Sequence, residues 1–293
     1  MPHPPQLRFA LLLFVASGLC LSGLDGVGKL VLTESGLLLL VWARYVGHLV
    51  LSLPIAYAYT GPRFYKSARP GLQIVRSALM ALTTLLFFAG VQWLPLAEAS
   101  ALAFTAPIWV ALFSWKVLGE PVAKSDKWIA AIGFSGVLLI VRPGTDVFHP
   151  AALLVMGMAL ANAVYQLLTR KLTQDSAFTT FFYSPLVGAG VSSVMLGFYG
   201  LPDTLSIEST LLLASTGVLG GLGHLFIILS FYRAPPASLT PFVYLQMIWA
   251  IALGWLLFAQ LPDGIALMGM GVIVCAGLWL ILHRRRLTKR ALP

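Results

Sequence analysis

Charge is what this sequence has least of. Only 10% of its 293 residues are Asp, Glu, Lys or Arg, while 59% are hydrophobic. A soluble domain carries about 25% charged residues, so a chain this poor in charge could not cover its own surface with water-soluble groups. The composition excludes an ordinary soluble domain and points to an all-α polytopic membrane protein. Cysteine is nearly absent too: Cys20 and Cys275 each sit in an apolar run, with no disulfide framework and no metal-ligand spacing. No G-x-x-x-x-G-K-S/T run occurs, which excludes a P-loop and ATP as the energy source. No Cys/His cluster has metal spacing, and no Ser–His–acid set is supported. The expectation is therefore no catalytic residues, no metal, no cofactor and no enzyme activity. Acidic residues are scarcer than basic ones, 10 against 19. The resulting net charge of +9 would suit nucleic acid if it were clustered. It is instead dispersed between hydrophobic runs, where the positive-inside rule places it, so no nucleic-acid partner is expected.

Long apolar runs are present in abundance. A spanning helix needs about 20 mostly apolar residues, and ten segments fit: about 8–31, 36–59, 70–93, 97–118, 126–142, 150–171, 178–200, 208–232, 236–258 and 263–283. The connectors are short turns such as Thr60-Gly61-Pro62, Gly119-Glu120-Pro121, Arg142-Pro143-Gly144, Leu201-Pro202-Asp203 and Ala234-Pro235-Pro236. The first run, preceded by Arg8, imitates a signal peptide but lacks a small-x-small site before a polar start, so it reads as a retained helix. With the N-terminus inside, 14 of the 19 Lys and Arg fall in inside segments, among them Arg63, Lys66, Arg69, Lys124, Lys127 and the 284–290 cluster. Lys29 and Arg142 fall outside. That asymmetry places both termini in the cytoplasm.

The few charges inside helices stand out, because an intramembrane ionisable group is costly and marks a functional site by default. Asp25 and Lys29 share a helical face at i and i+4. At about 1.5 Å of rise per residue, Asp25 and Arg44 reach similar depth on neighbouring helices, so the two are expected to face one cavity and pair or nearly so. Lys29 lies at the outer boundary, where its side chain can snorkel. His48 is one turn below Arg44 and reads either as a proton relay or as a neutral core histidine. Arg76 reads as a site residue or as an anchor near the inner headgroups. Asn162, Tyr165, Gln166 and Thr169 form a polar stripe at i, i+3, i+4, i+7. Gln246, Trp249 and Trp109 lie near the midplane, away from the interfacial belts where Trp gathers. The two indoles read as core packing or as stacking platforms. His224 follows Gly217, Gly220, Gly221 and Gly223, which suit close helix approach. Pro107, Pro185 and Pro241 are candidate kinks. Glu98 suits the dipole at the start of its helix.

Shifting residues 97–120 by 140 superposes Trp109 on Trp249 and Trp115 on Trp255. The aligned segments are the fourth and the ninth, so each half holds five helices. Five is odd, and the halves, 1–145 and 146–293, are expected to lie in opposite orientations, an architecture of secondary transporters.

Residues 86–144 then resemble the EamA repeat of the drug/metabolite transporter superfamily. The resemblance rests on Leu94-Pro95-Leu96-Ala97-Glu98-Ala99, the Ala106-Pro107 pair, the Leu118-Gly119-Glu120-Pro121 turn and the glycine-spaced close before Arg142-Pro143-Gly144. The second half keeps Ala237-Ser238-Leu239 and the Trp pair but has Ala259-Gln260-Leu261 where the first has Gly-Glu-Pro. Asp25-x-x-x-Lys29 with Trp42-Ala43-Arg44-Tyr45 is similar to a bacterial subgroup associated with riboflavin, S-adenosylmethionine or related metabolites. The resemblance implies a ten-helix secondary carrier of a bacterial inner membrane, with export as the commoner direction.

The expected function is alternating-access transport of a small anionic or zwitterionic metabolite with a planar or aromatic part, such as an amino acid, a flavin or an S-adenosyl compound. Asp25, Arg44, His48, Arg76, Trp109, Asn162, Tyr165, Gln166, His224, Gln246 and Trp249 are the expected substrate-binding residues. A proton-coupled cycle would draw on Asp25 and His48. The rivals are a membrane enzyme or flippase acting on a lipid-linked substrate, with Glu98 or Asp203 as its acid, and a non-transporting scaffold or receptor.

Overall fold

The computed structural model describes residues 4–119, 122–200 and 205–291, and for 4–5, 236–237, 240 and 284–291 the backbone alone. Glu120 and Pro121 of the Gly-Glu-Pro turn, and Leu201, Pro202 and Asp203, lie outside the described residues. No strand occurs among the described residues. The helices are α1 (Pro4–Thr60), α2 (Pro70–Val91), α3 (Leu96–Ala103), α4 (Ala106–Leu118), α5 (Lys124–Val141), α6 (Ala151–Thr169), α7 (Ala177–Tyr183), α8 (Leu186–Tyr199), α9 (Ile207–Phe231), α10 (Pro236–Leu239), α11 (Leu245–Phe258) and α12 (Gly264–Ala291). A 3-10 turn, Thr240–Tyr244, joins α10 to α11.

Eight helical runs are long and apolar enough to cross a membrane: Gln6–Arg63, Pro70–Val91, Leu96–Leu118, Ala151–Thr169, Ala177–Tyr199, Ile207–Phe231, Pro241–Phe258 and Gly264–His283. α5 is not among them, because its first turn holds Lys124, Asp126 and Lys127. The first run has 58 residues, nearly three times the roughly 20 that one crossing requires. It is two arms, 4–35 and 37–60, joined at Gly36, whose φ of 71° and ψ of 162° break the helix. The sequence suggested a connector of several residues here. Instead the first arm stays helical to Ser35, whose hydroxyl donates to Val31 O at 2.8 Å, and one glycine makes the turn.

The three prolines interrupt helices as expected. α4 starts with Pro107 in its first turn, Pro185 precedes α8, and Pro241 sits in the 3-10 turn. A proline lacks an N–H and its ring collides with the carbonyl four residues earlier, so each helix stops and restarts around it.

α9 runs along α1, α6 along α2, and α12 along α5. The 140-residue shift that relates the tryptophans also relates contacts. A Cβ built on Gly47 would lie 2.8 Å from the Cα of Gly217; the shifted pair is Val187 and Ser77, where Val187 N donates to Ser77 Oγ at 3.0 Å. Between α5 and α12, Gly133 faces Ala276, and Gly136 faces Ile273, which is the same contact shifted. Gly119 (φ 74°) and Ala259 (φ 52°) both end their helices in the left-handed region. Glycine is the usual residue there. Ala259 holds the same backbone turn without it.

Candidate functional site

Gln73, Arg76, Ser77, Met80 and Thr84 recur on one face of α2, and all are buried. This face looks onto the second arm of α1 on one side and onto α6–α8 on the other. Arg76 is only 3% exposed. Its Nε donates to Thr169 Oγ1 at 2.7 Å, its Nη1 to Thr180 O at 3.3 Å, and its Nη2 to Tyr165 OH at 2.7 Å and Ser184 Oγ at 3.0 Å. The guanidinium also lies 4.6 Å from the centre of the Tyr165 ring. Arg76 therefore does not anchor in headgroups; it ties α2 to α6 and α7 from inside the bundle. With four of a guanidinium's five N–H groups engaged, it has little left to offer a ligand.

Arg44 is the opposite case. Among the described residues it makes one side-chain hydrogen bond, from Nη1 to Thr84 Oγ1 at 2.6 Å, and its Nε is buried with no partner. The Tyr45 hydroxyl donates to Met80 O at 2.6 Å and is hydrogen-bonded to Thr84 Oγ1, also at 2.6 Å. Thr84 is thus held from two sides and presents itself to Arg44. Asp25 is half-buried on the first arm, and Arg44 acts on it through charge rather than through an ion pair or hydrogen bond. The expected proximity is present; a closed pair is not.

One turn below Arg44, His48 is 1% exposed and both its ring nitrogens lack partners. Its ring stacks on His224 of α9 at 5.4 Å and 9°, and lies 5.0 Å from Phe181. Arg44 and Arg76 both act electrostatically on His224. Two imidazoles close to two guanidiniums form a layer of positive potential and unfilled hydrogen-bonding capacity inside an apolar bundle. Buried polar groups are nearly always partnered, and among the described residues Arg44 Nε and both His48 ring nitrogens are not.

Asp25, Arg44, His48, Arg76, Tyr165 and His224 therefore come together, and the remaining expected residues sit around them. Asn162 and Gln166 are half-buried on α6. Gln246 packs its side chain over Gly18 of the first arm. Trp109 lies 5.7 Å from Phe113 and 4.7 Å from Phe134, and its indole N–H, like that of Trp249, is buried without a partner. No hydrogen bond or ring contact links these five to the arginine layer among the described residues. Of the hydroxyl partners, Thr169 belongs to the polar stripe and Tyr45 to the Trp42–Tyr45 motif seen in the sequence, while Thr84, Thr180 and Ser184 were not picked out. The signal for Thr84 and Ser77 was there, as polar residues spaced along the Arg76 face of an otherwise apolar helix.

The two ends of the bundle are tied separately. At one end, Lys29 Nζ donates to Leu94 O at 2.5 Å and lies 5.0 Å over the Phe258 ring. Glu98 sits in the first turn of α3. Arg142 pairs with Asp263, and this hydrogen bond holds the Asp263 carboxyl below its ordinary range. A cavity of about 390 Å³ lies apart from the arginine layer, lined by Leu112, Trp115, Val122 and Lys127.

The profile of the EamA-like transporter family matches the chain twice, over residues 8–142 and 149–282. An S-adenosylmethionine uptake transporter of Rickettsia felis is 24% identical over 84% of this chain and 83% of its own length. A pseudopaline exporter of Pseudomonas aeruginosa is 30% identical over 69% and 72%, and a riboflavin transporter of Rhizobium johnstonii 28% over 74% and 72%. A crystal structure 19% identical in sequence shares the fold, with a TM-score of 0.66 over 95% of this chain and 98% of its own.

Proposed function

Because the chain belongs to the EamA-like transporter family, we propose that this multi-pass bacterial inner-membrane protein is a secondary transporter that moves a small anionic or zwitterionic metabolite by alternating access. The observation that carries the substrate class is Arg44: a half-buried guanidinium with one side-chain hydrogen bond and a buried, unpartnered Nε among the described residues. An arginine favours carboxylate or phosphate oxygens, which match its fork of donors. His48 and His224 border the same space, and Asp25 would either balance Arg44 or meet a substrate ammonium. Arg76 supplies positive field and holds Tyr165 in place, while Tyr165, Trp109 and Trp249 are the surfaces on which a planar ring would stack. Asn162, Gln166 and Gln246 add donors and acceptors.

The relatives named for S-adenosylmethionine, riboflavin and pseudopaline support a polar organic solute with charged or planar parts. A flavin, an S-adenosyl compound or an amino acid fits these groups. Asp25 and His48 are the groups through which a proton would couple. The transmembrane arrangement in this reading is ten spans, counting both arms of α1 and α5. They form inverted halves 1–145 and 146–293 with both termini cytoplasmic. The double family match and the contacts repeated at a shift of 140 residues support the two halves.

The test is transport into proteoliposomes loaded with each solute class. Arg44→Ala is expected to lower uptake of the true substrate at least about 30-fold, since truncating one partner of a charged hydrogen-bonded contact costs about 2–5 kcal/mol. Wild-type rates from folded Arg44→Ala protein would overturn the assignment.

A further inference from the structure

Two carboxylates that the substrate site does not use occupy matched places in the two halves. Glu34 lies in the last helical turn of the first arm of α1, two residues before Gly36, and Asp175 in the turn between α6 and α7; shifted by 140, Glu34 falls one residue from Asp175. Each reaches across to the other half and grips the start of a helix. Glu34 Oε1 accepts from the backbone N of Ser206 at 2.8 Å and Oε2 accepts from Ser209 Oγ, both at the start of α9. Asp175 Oδ1 accepts from the backbone N of Ala68 at 2.7 Å. Its Oδ2 accepts from Ser67 Oγ and from Gln73 Nε2 at 2.8 Å, both at the start of α2. In both cases one oxygen takes a free amide at a helix entrance and the other takes a hydroxyl. A carboxylate suits that place because the first N–H groups of a helix lack internal acceptors and the dipole is positive there.

The two grips are at opposite ends of the molecule. The second arm of α1 leads from the Glu34 turn toward the Asp175 turn, and its 24 residues span roughly 36 Å. α9 runs the same way: it starts at Glu34 and ends where Tyr232 stacks on Phe178 at 5.6 Å, beside Asp175. The Asp175 end carries further bridges between halves, from Gln73 Nε2 to Thr180 Oγ1 at 3.0 Å and from Tyr183 OH to Tyr65 O at 2.7 Å.

We propose that Glu34 and Asp175 are a pair of latches, one closing each end of the central layer, and that release of one at a time opens the protein to one side. Both are closed in this structure. The assignment rests on the alternating-access reading, and an assay that does not need transport separates the two.

Single cysteines at Ser77 and Thr216, both 0% exposed, report the space behind the Asp175 and the Glu34 latch, in a background carrying Cys20→Ser and Cys275→Ser. A membrane-impermeant maleimide is applied to right-side-out and inside-out vesicles. Asp175→Ala is expected to raise labelling at position 77 about five-fold, from one face only, and to leave position 216 at or below its starting rate. Glu34→Ala is expected to do the reverse from the other face. A five-fold rise is the population shift expected from losing hydrogen bonds to a partly exposed charged group. Asp175→Asn and Glu34→Gln, which keep the shape and remove the charge, give the same pattern at smaller amplitude and serve where an alanine variant fails to insert. Equal labelling of both reporters in either variant, or no change in either, would overturn the latches. One-sided opening in a protein that moves no solute would overturn the transport reading instead.

Discussion

Arg44 and Arg76 are the same residue type, the first half-buried and the second buried, and their surroundings give them different work. Arg76 meets Thr169, Tyr165, Ser184 and the Thr180 carbonyl, so its removal takes the guanidinium donor from three hydroxyl oxygens, while the Thr180 carbonyl keeps Ser184 N and Oγ. Hydrogen bonds to a charged group contribute about 1.5–3 kcal/mol each and are not additive. Arg76→Ala is therefore expected to cost about 3 kcal/mol or more, seen as a clear fall in the thermal midpoint of the detergent-solubilised protein. Arg44→Ala removes one hydrogen bond and one unsatisfied group, and its midpoint should stay close to wild type while transport falls. Equal thermal losses in the two variants would contradict this division. Both arginines stood out in the sequence as charges in apolar helices. Their roles did not, because the oxygens around Arg76 come from α6 and from the 177–184 segment, about 90 to 110 positions away.

At the scale of the element, the bend in α1 carries the most information. Gly36 has φ 71° and ψ 162°, a combination essentially confined to glycine. A Cβ placed there would meet nothing within 4 Å, so the cost of Gly36→Ala is backbone strain alone, about 1–3 kcal/mol. The expectation is a lower thermal midpoint for Gly36→Ala and an unchanged one for Gly71→Ala, where φ is helical and space is equally open. A neutral Gly36→Ala would mean that the arms can join in another way. Most element boundaries were legible within a few residues, since apolar run length, proline and glycine act locally. The exception is this turn. Hydropathy does not separate a bend of one residue from a short loop, and Thr33, Glu34 and Ser35 read as a polar connector although they are helical.

For the whole molecule, two inverted halves make a prediction about sidedness. If both termini are cytoplasmic, proteolysis of inside-out vesicles removes tags at both ends, and proteolysis of right-side-out vesicles removes neither. Removal of one tag from each side would overturn the inverted arrangement. The same symmetry explains why the substrate layer is uneven. The shift of 140 places Ser184 against Arg44 and Thr216 against Arg76, so the second half supplies hydroxyls where the first supplies charge. In the proposed transporter, an unequal site of this kind suits a solute that is itself charged at one end.

The sequence alone determined the membrane class, the helical content, the family and the list of polar residues that an apolar bundle has to accommodate. Those follow from composition, run length and local motifs, which act over a few residues. The tertiary structure decided which of those polar residues are satisfied and which are free. It showed Arg76 enclosed by oxygens, Arg44 and His48 with nitrogens to spare, Asp25 close to Arg44 but unpaired, and Glu34 and Asp175 each reaching into the other half. A hydrogen bond depends on positions within about 3 Å, and no pattern along one chain sets that distance between segments a hundred residues apart.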